Sequence, residues 1–143
     1  MSQLVGSDRE IRLFKYALAV VREGRLLLCK PHAFPALIMP GGLRQDGESH
    51  IAGLKREIAE ELGAEAQLRE ESLQWLGHFE DWAAGKINTI IAMDVYTGEV
   101  SGTLVASSEI AELVWFGRED DPDRLSAVVR HHVCPALAER GMI

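Results

Sequence analysis

The chain is poor in the features that mark several protein classes. Only two cysteines occur in 143 residues. Cys29 and Cys134 lie far apart and make no CxxC or Cys/His cluster, so neither a disulfide framework nor a zinc site is indicated, and both read as small reduced core residues. No apolar run approaches the ~20 residues of a membrane span. The stretch Met1 to Asp8 lacks the basic region of a secretory signal. These absences predict a cytoplasmic protein without a membrane partner. Basic residues are outnumbered, with 15 Lys and Arg against 22 Asp and Glu and a net charge of -7, which argues against a nucleic acid polymer as partner. An acidic chain can still meet a small phosphorylated ligand through a divalent cation.

What is present is ordinary for a globular domain: 47% hydrophobic and 26% charged residues. The length predicts one domain over residues 1–143. Arg12 to Val21, the turn Arg22-Glu23-Gly24-Arg25 and Leu26 to Cys29 predict a hairpin. Pro40-Gly41-Gly42 must turn. Ser49 can cap a helix reaching about Leu62, with Gly63 beyond it, and Ile51, Leu54, Ile58 and Leu62 form its apolar stripe. Leu73 to Phe79, Ile87 to Tyr96 and Leu113 to Phe116 read as strands, with Trp75 and Trp115 in the core. Asp121-Pro122 opens a last helix with the stripe Leu125, Val128, Val129 and Val133, which Pro135 kinks or restarts. His131 and His132 on it read as a solvated pair. The order predicts an α/β fold with a mixed sheet and helices packed on it. The Ile87 to Tyr96 strand and the last helix leave two uses open, a homodimer contact or core burial.

The polar side of the first helix carries Glu57, Glu60 and Glu61 at i, i+3 and i+4, where like charges are neighbours and repel. Either this is a solvated face, or a hard cation such as Mg²⁺ or Mn²⁺ neutralises it. Arg56 beside them can orient a carboxylate. Outward from this cluster, five residues separate Gly42 from Glu48, and seven separate Glu48 from the run Arg56-Glu57-Ile58-Ala59-Glu60-Glu61-Leu62-Gly63-Ala64. This run resembles the Nudix box, with all seven fixed positions filled and Ala64 smaller than the usual last aliphatic residue.

The resemblance implies a Nudix fold, an α/β/α sandwich with a mixed β-sheet, and hydrolysis of a nucleoside diphosphate linked to another moiety. It implies Glu57, Glu60 and Glu61 as Mg²⁺ (or Mn²⁺) ligands, Arg56 as the orienting cation and Glu48 as a helper to helix or metal. Gly41 and Gly42 would let backbone approach metal or phosphate. The general base is open: Glu57 lies inside the box, and Glu80, Asp81 and Glu109 lie outside it. Phe34, Phe79 and Trp82 are candidates for stacking on a substrate base. The substrate follows by elimination. No proline occurs between Pro40 and Pro122, the only tyrosines are Tyr16 and Tyr96, and no coenzyme A type motif precedes the box. What remains resembles the (d)NTP pyrophosphatases that release a nucleoside monophosphate and pyrophosphate. The alternatives are an ADP-ribose or NDP-sugar pyrophosphatase and a non-catalytic nucleotide-sensing domain.

Overall fold

Tyr16 to Val20 are buried without interruption, so neither face of that strand meets water and the strand must be central. The computed structural model, which describes residues 10–143, shows this. The Met1 to Asp8 stretch lies outside the described residues. Strand β1 (Ile11–Ala19) is paired on both edges, antiparallel to β4 (Gly41–Leu43) and parallel to β6 (Thr89–Ser101). The long β5 (Gln67–Trp82) completes a mixed sheet of order β4-β1-β6-β5. A second sheet runs β2-β3-β7, from β2 (Val21–Arg22), β3 (Arg25–Pro31) and β7 (Ile110–Phe116).

The expected hairpin is therefore half right. Its turn is real, with Glu23 and Gly24 both at positive φ, the signature of a two-residue loop. Its first arm shrinks to two residues, because β1 leaves for the other sheet and the chain changes sheet at buried Val20.

Alternation along β1 and β3 builds two cores. Tyr16, Leu18 and Val20 join Leu27 and Cys29 against Leu54, Ile58 and Leu62 of helix α1 (His50–Leu62). Ala17 and Ala19 join Leu26 and Leu28 against Val128, Val129, Val133 and Leu137 of the C-terminal segment. Helices thus cover both faces, giving the α/β/α arrangement with a mixed sheet. Ser49 caps α1 by accepting the Ala52 N–H, as expected. Ile51 is a correction: it is 40% exposed. Gly53 takes the inner position instead, where a Cβ would stand 2.8 Å from the Tyr16 ring.

Two further expectations change. Trp75 is not core but 48% exposed. Strand β5 slips register between Trp75 and Gly77, and a bulge moves every following side chain to the other face, so Leu76 is buried instead. Pro122 opens only one 3₁₀ turn (Pro122–Arg124), after which a π-helical turn (Val129–Val133) leads into α2 (Cys134–Glu139). Proline 135 has no N–H to give to the turn before it, and the wider turn absorbs the mismatch. Strand β6 spends both edges on neighbours and the last helix spends its apolar side on the core. No helix among the described residues is long and apolar enough to cross a membrane.

A fully buried leucine contributes about 1.5–3 kcal/mol and its truncation adds a cavity cost. Leu54→Ala should lose about 2–5 kcal/mol in urea denaturation. Ile51→Ala, one turn earlier on the same predicted stripe, should stay within about 0.5 kcal/mol.

Candidate active site

The site is built where the last turns of α1 overlie β4. Gly41 has φ 144° and a Cβ there would stand 2.0 Å from the Tyr16 carbonyl oxygen, so only glycine fits. At Gly42 a Cβ would stand 2.1 Å from Glu57 Cδ. Gly41 thus lets β4 close on β1, and Gly42 lets the helix carboxylates descend onto bare backbone. Glu61 uses that room: its Oε1 accepts the Gly41 N–H at 2.8 Å.

Arg56 organises the other carboxylates. Its Nε and Nη2 donate to the two oxygens of Glu48 at 2.8 and 3.0 Å, a two-pronged pair of fixed geometry. Its Nη1 donates to Glu57 at 2.6 Å and lies 3.9 Å from Glu60. The Arg56 hydrogen bonds hold the Glu48 carboxyl below its usual range. Burial raises Glu57, with Arg56 opposing. Burial pushes the Glu61 carboxyl up to about 7, against the pull of Lys15 and the Gly41 N–H. The loop after β6 satisfies the open carbonyls at the end of α1, Val105 N–H donating to Leu62 and Ser107 N–H to Glu61. That seating brings Glu109 beside Glu61, whose carboxyl it pushes further up.

The helix carboxylates Glu57, Glu60 and Glu61, with Glu109, line a cavity of about 410 Å³, within the range of ligand sites. Glu57, Glu60 and Glu61 line it from α1 and Glu109 from the turn before β7, Gly41 and Gly42 from β4, and Phe34 and Trp82 from the loop after β3 and the end of β5. Among the described residues no three His, Cys, Asp or Glu side chains already meet at one point as a closed metal cage. Glu57 is drawn onto Arg56 and Glu61 onto Gly41. The donor set nonetheless fits a divalent cation: hard oxygens on one helix face, one of them a carboxylate that burial disfavours as an anion.

Not every candidate reaches the cavity. Phe79 turns toward the C-terminal segment, packs on the core and stacks on the His132 ring. Glu80 is tied to Arg12 and His78. Asp81 is tied to His131 and His132, so that pair is not simply solvated. Lys15 was missed: it enters the cavity from β1 and donates to the Met39 carbonyl at 2.8 Å. The one available signal was a charge placed between apolar residues at the start of a buried strand.

The sequence profile of the NUDIX domain matches residues 14–132. The chain belongs to the Nudix hydrolase family. Solved structures agree in fold. The MutT Nudix hydrolase from Burkholderia pseudomallei superposes with TM-score 0.70 at 27% identity, covering 90% of this chain and 98% of that one. The MutT protein from Methanosarcina mazei gives 0.71 at 20%, covering 92% and 96%. A Nudix hydrolase from Nitrosomonas europaea gives 0.72 at 17%, covering 92% and 90%. No curated protein matches the chain in sequence. Nudix hydrolases as a family act on nucleoside diphosphate derivatives and generally use divalent metal ions.

The Nudix carboxylates carry a pH signature. Glu61 has a folded value of about 7 against 4.5 in the unfolded chain. A raised value favours the protonated folded form, so its contribution is complete below pH 4.5 and is lost as pH rises through 7. In chelator, wild type should lose more stability across that window than Glu61→Gln. At pH 8 the variant should be more stable by up to about 3 kcal/mol, read by thermal denaturation.

Proposed function

We propose that the protein hydrolyses a (d)NTP to a nucleoside monophosphate and pyrophosphate in a reaction that depends on Mg²⁺ or Mn²⁺. The observation that carries this reading is one cavity lined by four carboxylates and by two aromatic side chains. A nucleotide offers a partner to each kind of group, phosphates to a cation held by the carboxylates and a flat base to the aromatic rings.

Glu57, Glu60 and Glu61 would hold the cation, since they supply hard oxygens at one-turn spacing. Bound there, it would neutralise phosphate oxygens and acidify a water. Arg56 fixes the direction of Glu57 and is itself fixed by Glu48. Gly42 keeps the Glu57 carboxylate close to backbone that would obstruct it if it carried a side chain, and Gly41 gives its N–H to Glu61. In the hydrolysis, water oxygen bonds to one phosphorus, the bond to the pyrophosphate leaving group breaks, and a carboxylate takes the water proton. Glu109 is the assigned acceptor, because it borders the cavity from a loop and is not tied up by Arg56. Lys15 presents a positive charge to the same space and suits phosphate oxygen. Phe34 and Trp82 would receive the base by stacking, worth about 1–3 kcal/mol per base.

Phosphate and pyrophosphate release should be measured across (d)NTPs, 8-oxo-dGTP, ADP-ribose, NDP-sugars and dinucleoside polyphosphates, with Mg²⁺, with Mn²⁺ and with chelator. The expected result is turnover of a (d)NTP that chelator abolishes. Glu61→Gln should reduce it by more than about 100-fold, beyond the usual cost of losing only a group that orients a ligand. Mg²⁺ should also raise the melting temperature of wild type but not of Glu61→Gln, by mass action on the folded state. Turnover confined to ADP-ribose or an NDP-sugar would replace the substrate. Nucleotide binding without any turnover would make the domain a sensor.

A further inference from the structure

The end of β5 is fastened to the C-terminal segment by one carboxylate. Asp81 Oδ2 lies 3.1 Å from His131 Nδ1 and 3.1 Å from His132 Nε2. Its other oxygen, Oδ1, accepts the Trp82 backbone N–H at 2.7 Å. The side chain is 16% exposed, and both oxygens are engaged, so this is not a free base. Successive residues of an α-helix point about 100° apart. Here both histidines sit in the π-helical turn Val129–Val133, and both rings reach the same oxygen. Such turns concentrate at functional sites.

The contact falls where it can act on the cavity. Immediately after Asp81 the chain supplies Trp82, Ala83, Ala84 and Lys86 to the cavity wall. Gly85 in that segment lies against Phe34, whose Cδ2 would stand 2.4 Å from a Cβ there. The segment therefore carries one aromatic wall and supports the other. We infer that Asp81, clamped by His131 and His132, is a positioning residue that sets both aromatic walls and so determines affinity for the base of the nucleotide without touching it. This rests on the nucleotide reading proposed above.

The test uses the full chain with Trp75→Phe and Trp115→Phe, which leaves Trp82 as the sole indole. Two readouts are taken: steady-state kinetics on the preferred (d)NTP, and quenching of Trp82 emission by AMP, GMP, CMP and UMP in turn, the tightest serving as the monophosphate probe. Asp81→Asn keeps the size but cannot accept on both sides. It should raise KM about tenfold with kcat within about twofold, and raise the monophosphate needed for half-quenching by the same factor. His131→Ala with His132→Ala should reproduce both effects. His131→Gln with His132→Gln, which keeps a donor at each position, should restore them. An unchanged quenching titration in Asp81→Asn overturns the inference. So does a fall in kcat and melting temperature with KM unchanged, which marks a merely structural contact. If wild type turns over no nucleotide, the functional reading fails, and the quenching titration still decides the clamp.

Discussion

The closeness of helix α1 to the four-stranded sheet is the constraint on which everything else depends. Gly42 and Gly53 set it, and Gly41 sets how closely β4 lies on β1. Side chains at Gly41, Gly42 and Gly53 would strike, respectively, the Tyr16 carbonyl, the Glu57 carboxylate and the Tyr16 ring. Tyr16 is the common surface, buried in β1 between the strand beside it and the helix above it. With the helix held at that distance, Glu61 reaches the Gly41 amide and Glu57 and Arg56 are brought over β4. Interiors are packed too tightly to yield to an added methyl group without displacing something. The displaced group at Gly42 would be a carboxylate of the site itself.

The same closeness creates an electrostatic problem. Carboxylates leave water as the helix descends, and burial works against their ionisation. Arg56 relieves Glu48 and Glu57, but Glu61 has only the Gly41 amide and the more distant pull of Lys15. A fold that keeps such a group gives up stability for it, and the cation site proposed above would be what it gains. The burial of Cys29 under the same elements has no such outlet, and its thiol is pushed up to about 12, which keeps it an inert packing group.

Local features were legible in the sequence and long-range ones were not. Ser49, the α1 stripe and the glutamate spacing depend on neighbours within two turns, so periodicity and capping preferences suffice to find them. The passage of β1 from one sheet to the other depends on β6, more than 70 residues away in sequence, and no local pattern encodes it. Trp75 was misplaced because a bulge in β5 shifts the pleat by one residue. The alternation there is sound on either side of the slip, yet the slip itself leaves no compositional mark. Phe79 went astray for a related reason: its face of β5 meets the C-terminal segment, and the cavity opens only beyond it. Lys15 escaped because a single cation in a strand has no spacing to match.

The crossing at Val20 has a mechanical consequence. Strand β1 lies inside one sheet, β2 and β3 belong to the other, and a single buried residue joins them. The three-stranded sheet cannot peel away without dragging the internal strand β1 of its neighbour, and both helical layers rest on residues from both sheets. The amides of Ala17 to Ala19 are therefore protected at the level of the whole molecule rather than of one sheet, and opening there is opening everywhere. A domain joined in this way can keep its loops soft around the cavity while its floor stays rigid.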